Sequence, residues 1–170
     1  HFSDSPGRGG MEHASGTAIT LPMRTLSDHL DVFTSISAHE FFHLWNVKRI
    51  RPDALGPFDY TQENYTKMLW VAEGITDYYA DVALRRAGLI TETEFLNGQA
   101  RAMQAMQNTP GRLVQSVEES SFDSWIKYYR QDENSVNSQV SYYEKGALLG
   151  LLLDLEIRKR SAGAKSLDDV

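Results

Sequence analysis

Two histidines four residues apart, with a glutamate beside the first, are the feature of this sequence that points most directly to chemistry. They form the string HEFFH, His39 to His43. On a helix, residues four apart lie on the same side about one turn apart, so both imidazoles can bind one metal ion. Glu40 can then reach a water molecule on that ion and act as a general base. The alternative interpretation is a pair of histidines satisfied within a protein core, and a third ligand would argue against it.

The third ligand must be a histidine or a carboxylate, because the chain contains no cysteine. His1, His13 and His29 are candidates, but Glu73 is the strongest. It lies in LWVAEGITDYY, within a predicted helix that is apolar on nearly every side. An unpaired carboxylate would be expensive there, and coordination to a metal would neutralise it. The pattern therefore favours a zinc ion bound by two imidazoles and one carboxylate.

Two neighbours of Glu73 add to this prediction. Gly74 costs about 1 kcal/mol in a helix interior, which predicts that something approaches the backbone closely at that position. Asp77 shares a helix face with Glu73 and can orient a ligating imidazole as a hydrogen-bond acceptor. An equally good interpretation makes Asp77 a solvated or helix-capping carboxylate.

A tyrosine pair in SYYEKG supplies a candidate for stabilising an oxyanion. Ser141 and Glu144 have the spacing of a capping box, which places Tyr143 in the first turn of a helix. The positive end of the helix dipole favours a phenol that donates a hydrogen bond to developing negative charge. Tyr142 is the alternative donor, and either ring can equally serve packing alone.

Near the N-terminus, the string GGMEH offers a candidate for substrate binding. Gly9 and Gly10 let the backbone approach a ligand, and Met11 follows them. Glu12 is a carboxylate suited to binding the ammonium group of a substrate. On its own, this motif has little specificity.

Helical periodicity dominates the elements that must position these residues. Apolar spacing and capping signals predict helices over 27–48, 62–87, 91–107 and 141–160, with short helical segments after Pro110 and over 122–129. Short strands are predicted around 11–13 and over 17–21. The predicted fold class is mainly α with a small N-terminal β element, in a single domain over residues 1–170.

Composition and charge exclude several other classes of protein. The chain has 170 residues, of which 41% are hydrophobic and 24% charged, and this excludes disorder. A formal net charge of −6 argues against a nucleic-acid groove. The longest apolar run, Ala147 to Leu153, is too short for a membrane span.

Because the chain starts at His1 and ends in what looks like an unfinished helix, we interpret it as a piece of a longer protein. Cytoplasm and bacterial periplasm are both compatible with it.

Taken together, HEFFHLWNVKRIRP, LWVAEGITDYY, SYYEKGALLGLLLDLEIR and GGMEH resemble the glycyl aminopeptidase family of gluzincin zinc metallopeptidases. The resemblance runs from about Gly9 to Arg158. It implies a thermolysin-like zincin catalytic domain with one Zn²⁺ per chain, held by His39, His43 and Glu73. Family members usually carry a β-rich domain before this segment and a PDZ-type domain after it, and this chain contains neither.

The resemblance also assigns roles to the other motifs. It implies Glu40 as general base and proton shuttle, and Tyr143 as the oxyanion donor. In the related larger aminopeptidases a Gly-x-Met-Glu-Asn strand binds the free amino terminus of the substrate, which implies the same role for Glu12. Position 13 departs from that pattern, because His13 stands in place of Asn.

The predicted function is zinc-dependent release of small N-terminal residues, glycine or alanine, from peptides or proteins with a free N-terminus. One alternative is a zinc endopeptidase of the same fold, in which Glu12 contacts the substrate backbone or nothing. A second alternative is an inactive peptide-binding scaffold. The presence of a base, three ligands and a tyrosine argues against the scaffold.

Overall fold

A small sheet begins the chain. The computed structural model describes residues 2–3 and 7–170. The sheet contains β1 (Phe2–Ser3), β2 (Gly9–His13) and β3 (Gly16–Pro22), in the order β1-β3-β2. β2 and β3 form an antiparallel hairpin with Met11 opposite Ala18, and β1 pairs with β3 in parallel. The two predicted strands are confirmed.

Helices form most of the remaining structure, which confirms the predicted fold class of mainly α with a small N-terminal β element. The α-helices are α1 (Met23–Asp28), α2 (Leu30–Phe42), α3 (Ile75–Arg86), α4 (Glu92–Gln107), α5 (Val117–Phe122), α6 (Ser135–Ser138) and α7 (Tyr142–Arg160). A π-helix, Trp70–Gly74, leads directly into α3, and short 3₁₀ helices cover Asp53–Leu55, Pro110–Leu113 and Leu167–Asp169. α4, α7 and the 3₁₀ turn after Pro110 agree with the sequence predictions. No helix among residues 2–3 and 7–170 has the length and apolar character needed to cross a membrane.

The predicted helix over 27–48 is wrong at both ends. The backbone leaves helical geometry at His29 (φ −143°, ψ 57°), and this separates α1 from α2. α2 ends at Phe42 with His43 as its C-cap, so HEFFH lies in the last turn of a helix and not in its middle. The physical reason is the segment that follows. Val47 is buried with a φ of 129°, a conformation that no right-handed helix contains.

Two other predicted helices differ from the structure. The helix predicted over 62–87 begins only at the π-helix, and the polar stretch before it is irregular. The segment predicted over 122–129 is a series of turns, and the helix lies earlier, at α5. A full capping box starts α5, because the Ser116 hydroxyl accepts from the Glu119 amide and the Glu119 carboxylate accepts from the Ser116 amide.

The chain forms two compact units. The first comprises His1–Arg51 and Tyr79–Phe95, and the second comprises Pro52–Tyr78 and Leu96–Val170. In the second unit, Asp154 on α7 accepts hydrogen bonds from the Tyr78 hydroxyl at 2.7 Å, the Arg158 Nε at 2.8 Å and the Leu167 amide at 2.7 Å. Each unit carries part of the predicted chemistry. The assignment of all 170 residues to one catalytic domain stays a prediction.

Candidate active site

The first unit brings the two histidines of HEFFH together. The Nε2 atoms of His39 and His43 lie 2.9 Å apart, and the Nδ1 atom of His43 lies 2.8 Å from the carbonyl oxygen of Asn46. Because a carbonyl oxygen only accepts, Nδ1 of the neutral His43 ring carries the proton. Its Nε2 lone pair is then directed at His39. A metal-binding imidazole needs this protonation state, with its second nitrogen held by a backbone carbonyl. The donor set therefore fits a zinc ion.

The histidine turn, residues 39–50, owes its shape to irregular backbone. After α2, the Lys48 amide donates to the His43 carbonyl oxygen at 3.1 Å, and Asn46 forms an isolated bridge with Ile50. Val47 lies between them at φ 129°, which is strained for a β-branched residue by about 1–3 kcal/mol. The turn thereby directs the Asn46 carbonyl towards His43.

Glu40, the predicted general base, is buried against the hairpin of β2 and β3 and is only 7% exposed. β2 passes so close that a Cβ at position 10 would overlap the Glu40 carboxyl group, so any larger residue in place of Gly10 would force the Glu40 side chain to move. The Thr17 hydroxyl donates to the Met11 carbonyl oxygen at 3.0 Å and lies 3.5 Å from Glu40 Oε2. Gly9, in contrast, borders open space. The close approach at GGMEH thus confines the Glu40 carboxylate.

Glu12 lies two residues after Gly10, on the same face of β2. Glu12, Glu40 and His43 each present a ligand atom, and these three atoms lie within 4.8 Å of one another. Glu12 also forms an ion pair with Lys48, with 3.3 Å between Glu12 Oε1 and Lys48 Nζ. Lys48 is a site residue that sequence reasoning missed. Its position in HEFFHLWNVKRIRP, just after the second histidine, was the available signal.

Two of the other candidate histidine ligands are exposed, unlike the buried His43. His13 is exposed at the end of β2, and His29 is exposed at the junction of α1 and α2. His1 lies outside the described residues.

In the second unit, Glu73 lies in the π-helix, which packs directly on α7. A Cβ at Gly74 would lie 2.5 Å from the Gly146 Cα atom and 2.8 Å from the Tyr142 carbonyl oxygen. The predicted close approach at Gly74 is therefore confirmed. It places the backbone next to Glu73 against the first turns of α7.

The tyrosine cluster, made of Tyr128, Tyr129, Tyr142 and Tyr143, surrounds the start of α7. Tyr142 is 1% exposed, and its hydroxyl lies 3.2 Å from the Tyr129 hydroxyl. Tyr143 is the less buried of the pair and stacks on Tyr142 with ring centroids 4.7 Å apart. Burial and the negative charge of Glu73 raise the pKa of Tyr143, which keeps its phenol protonated. The choice between Tyr143 and Tyr142 as the oxyanion donor stays a prediction.

Asp77 lies in the first turn of α3 and is partly buried. Burial is the main cause that raises the pKa of Tyr128, and the negative charge of Asp77 is among the smaller contributions. The orienting role of Asp77 towards an imidazole stays a prediction.

The sequence and the fold both resemble those of known peptidases. The family model of the M61 glycyl aminopeptidases matches residues 32–149. A search of curated protein sequences gives no match. Among solved structures, the crystal structure of an aminopeptidase N family protein from Idiomarina loihiensis is similar, with a TM-score of 0.92 and 38% identity over 98% of this chain. This chain spans 30% of the length of that protein. Because the family match covers well over half of its residues, the chain belongs to the M61 glycyl aminopeptidase family.

Proposed function

We propose that this chain provides the catalytic site of a zinc-dependent aminopeptidase that releases small N-terminal residues, glycine foremost, from peptides. The observation that carries the proposal is the histidine pair, with two Nε2 atoms 2.9 Å apart and the second ring held by a backbone carbonyl. Membership of a peptidase family supports the reaction class.

The proposed zinc ligands are His39, His43 and Glu73. Two observations support Glu73 as the third ligand. It is a carboxylate in a largely apolar segment, and it lies in a π-helix, a distortion found frequently at functional sites. Zinc, when bound, supplies Lewis-acid polarisation of a carbonyl group and acidifies a water molecule.

The remaining steps belong to side chains of this chain. Glu40 takes the proton of the attacking water and returns it to the leaving amine, and the confinement of its carboxylate by Gly10 supports this role. Tyr143 donates a hydrogen bond to the oxyanion of the tetrahedral intermediate. Its raised pKa favours the protonated form that a donor requires.

The position of Glu12 supports release of one residue at a time. In a peptide, the ammonium nitrogen lies two bonds from the first carbonyl carbon, about 2.5 Å away. A carboxylate that binds this ammonium must therefore lie in the same site as the general base. The spacing of Glu12, Glu40 and His43, within 4.8 Å, is consistent with that requirement.

One observation favours a second candidate, a zinc endopeptidase of the same site. Glu12 already forms an ion pair with Lys48. A carboxylate that is paired within the protein in this way has no need of a substrate amino terminus. The two candidates differ in whether a substrate with a blocked N-terminus is hydrolysed.

The test compares glycyl-p-nitroanilide with N-acetylglycyl-p-nitroanilide after metal analysis of the purified protein. We expect one zinc per chain, hydrolysis of the free substrate, and loss of turnover with a chelator that zinc reverses. If the free and the blocked substrates were hydrolysed at equal rates, the result would contradict the aminopeptidase proposal and favour the endopeptidase. A zinc-loaded protein that hydrolyses neither substrate nor longer peptides would favour the inactive scaffold.

A further inference from the structure

Lys48 presents to Glu12 the same chemical group that a peptide substrate would. Its Nζ atom lies 3.3 Å from Glu12 Oε1, and the two side chains are 21% and 24% exposed. A lysine ammonium and an N-terminal ammonium are both compact cations that only donate hydrogen bonds. The carboxylate proposed to bind the substrate amino terminus is therefore already paired with an ammonium group.

The backbone on both sides fixes this pair. Lys48 follows the strained Val47, and its amide donates to the carbonyl oxygen of His43. Glu12 lies on β2, directly opposite Thr17 in the hairpin. The ion pair thus joins the histidine turn to the strand that confines Glu40.

We propose that Lys48 sets the KM for substrates with a free N-terminus, because its ammonium occupies Glu12 in the substrate-free protein until the N-terminal ammonium of a peptide displaces it. This inference rests on the proposed function. A blocked N-terminus is neutral and has no ammonium to place against Glu12, so it leaves the pair of Lys48 with Glu12 intact and does not compete with Lys48. Lys48 also competes with every free N-terminus, so it raises the KM for such substrates without taking part in the chemical step.

The experiment removes the competing cation and measures binding and turnover separately. Lys48→Gln and Lys48→Met are the two neutral variants, and Lys48→Arg keeps a cation in place. Arg49→Gln is the matched control, because it removes a charge of the same sign from the next, exposed residue. KM and kcat are measured for the free and N-acetylated glycyl anilides. Affinity for glycinamide is measured by titration calorimetry on the zinc-free protein, where no turnover occurs.

For a partly exposed ion pair, we expect Lys48→Gln to lower the KM of the free substrate about two- to fivefold with kcat unchanged. Glycinamide should bind tighter by the same factor, and the KM of the acetylated substrate should not move. Lys48→Arg and Arg49→Gln should stay near the wild type. In a Glu12→Gln background, Lys48→Gln should have no effect on glycinamide binding.

Other outcomes would overturn the inference. Equal changes on the free and acetylated substrates would mean that Lys48 acts through the fold or through Glu40. Weaker glycinamide binding in Lys48→Gln would mean that Lys48 assists the ammonium and does not compete with it. Failure of the proposed function has a different signature, since the wild-type protein would then hydrolyse the acetylated substrate as fast as the free one, whatever stands at position 48.

Discussion

The first unit holds its candidate catalytic groups with irregular backbone and polar contacts, whereas the second holds its groups with closely packed helices. In the first unit, His43 is fixed by the Asn46 carbonyl and Glu40 by the bare backbone of Gly10. In the second, Gly74 and Gly146 bring the π-helix against α7. Substitutions of polar groups in the first unit should therefore change chemistry more than stability. Substitutions at the helix contact of the second should do the reverse.

Glu40→Gln should have the largest effect on turnover. The substitution keeps the shape of the side chain but removes the proton acceptor, so kcat should fall about 10²–10⁴-fold. Zinc should stay bound, because Glu40 is not a proposed ligand. The measurements are kcat and the zinc content of the purified variant.

Glu133→Gln is the matched control, since Glu133 is exposed in a loop of the second unit. A Glu40→Gln variant with near wild-type kcat would contradict the assignment of Glu40 as general base. Loss of zinc in that variant would instead make Glu40 a ligand.

The tyrosine pair should separate chemistry from packing within one cluster. Tyr143→Phe removes the proposed donor to the oxyanion and should lower kcat about 10²–10³-fold. Tyr142→Phe removes a hydroxyl that is 3.2 Å from the Tyr129 hydroxyl, so it should mainly lower the free energy of unfolding, by about 1 kcal/mol. Both quantities are measured for both variants. The opposite pattern would assign the oxyanion role to Tyr142.

The features that the sequence predicted correctly depend on local chemical signals. α4 and α7 follow from apolar periodicity and from hydroxyl residues at their starts, and the close approach at Gly74 follows from the cost of glycine in a helix. HEFFH could be found because the two proposed ligands lie four residues apart in one short stretch of sequence.

The features that the sequence did not predict depend on contacts between distant segments. α2 ends at Phe42 because the chain turns at Val47, and a valine gives no signal of a positive φ. The pair of Lys48 with Glu12 requires the hairpin and the histidine turn to be in place together. The π-helix around Glu73 arises at the contact of Gly74 with Gly146, which apolar periodicity does not indicate.

Gly74→Ala tests the packed region directly. The added methyl group would meet the Gly146 backbone at 2.5 Å, so the free energy of unfolding should fall by about 1–3 kcal/mol. Gly98→Ala is the matched control, because a Cβ at that position of α4 meets nothing within 4 Å. That variant should gain about 0.5–1 kcal/mol from helix propensity. Urea unfolding measures both, and two changes of the same sign would contradict the close contact.

Substitution of Asp154 should have the smallest effect of these variants. Asp154 anchors α7 in the second unit by polar contacts. Burial raises the pKa of Asp154, but hydrogen bonds from Arg158, the Leu167 amide and Tyr78 outweigh burial and lower it overall. A lowered pKa in the folded state stabilises the fold above the unfolded value of about 3.9, and the effect is lost as pH falls through the folded value. Asp154→Asn should therefore cost about 1–2 kcal/mol at neutral pH, and the difference in stability should shrink as pH falls from about 4 and vanish only below the lower folded-state pKa.

Glu156→Gln, on the same helix, is the control for Asp154→Asn. Glu156 pairs with Arg160 at 2.7 Å, but both side chains are largely exposed, so its loss should cost only about 0.3–0.5 kcal/mol. Urea unfolding across the acidic range compares the three proteins. The loss of unfolding free energy in Asp154→Asn could instead stay constant down to about pH 3, below the usual carboxylate pKa. The shape of the Asp154 side chain, and not its charge, would then be what stabilises α7. Polar anchoring in the second unit would then act through packing, as the contact of Gly74 with Gly146 does.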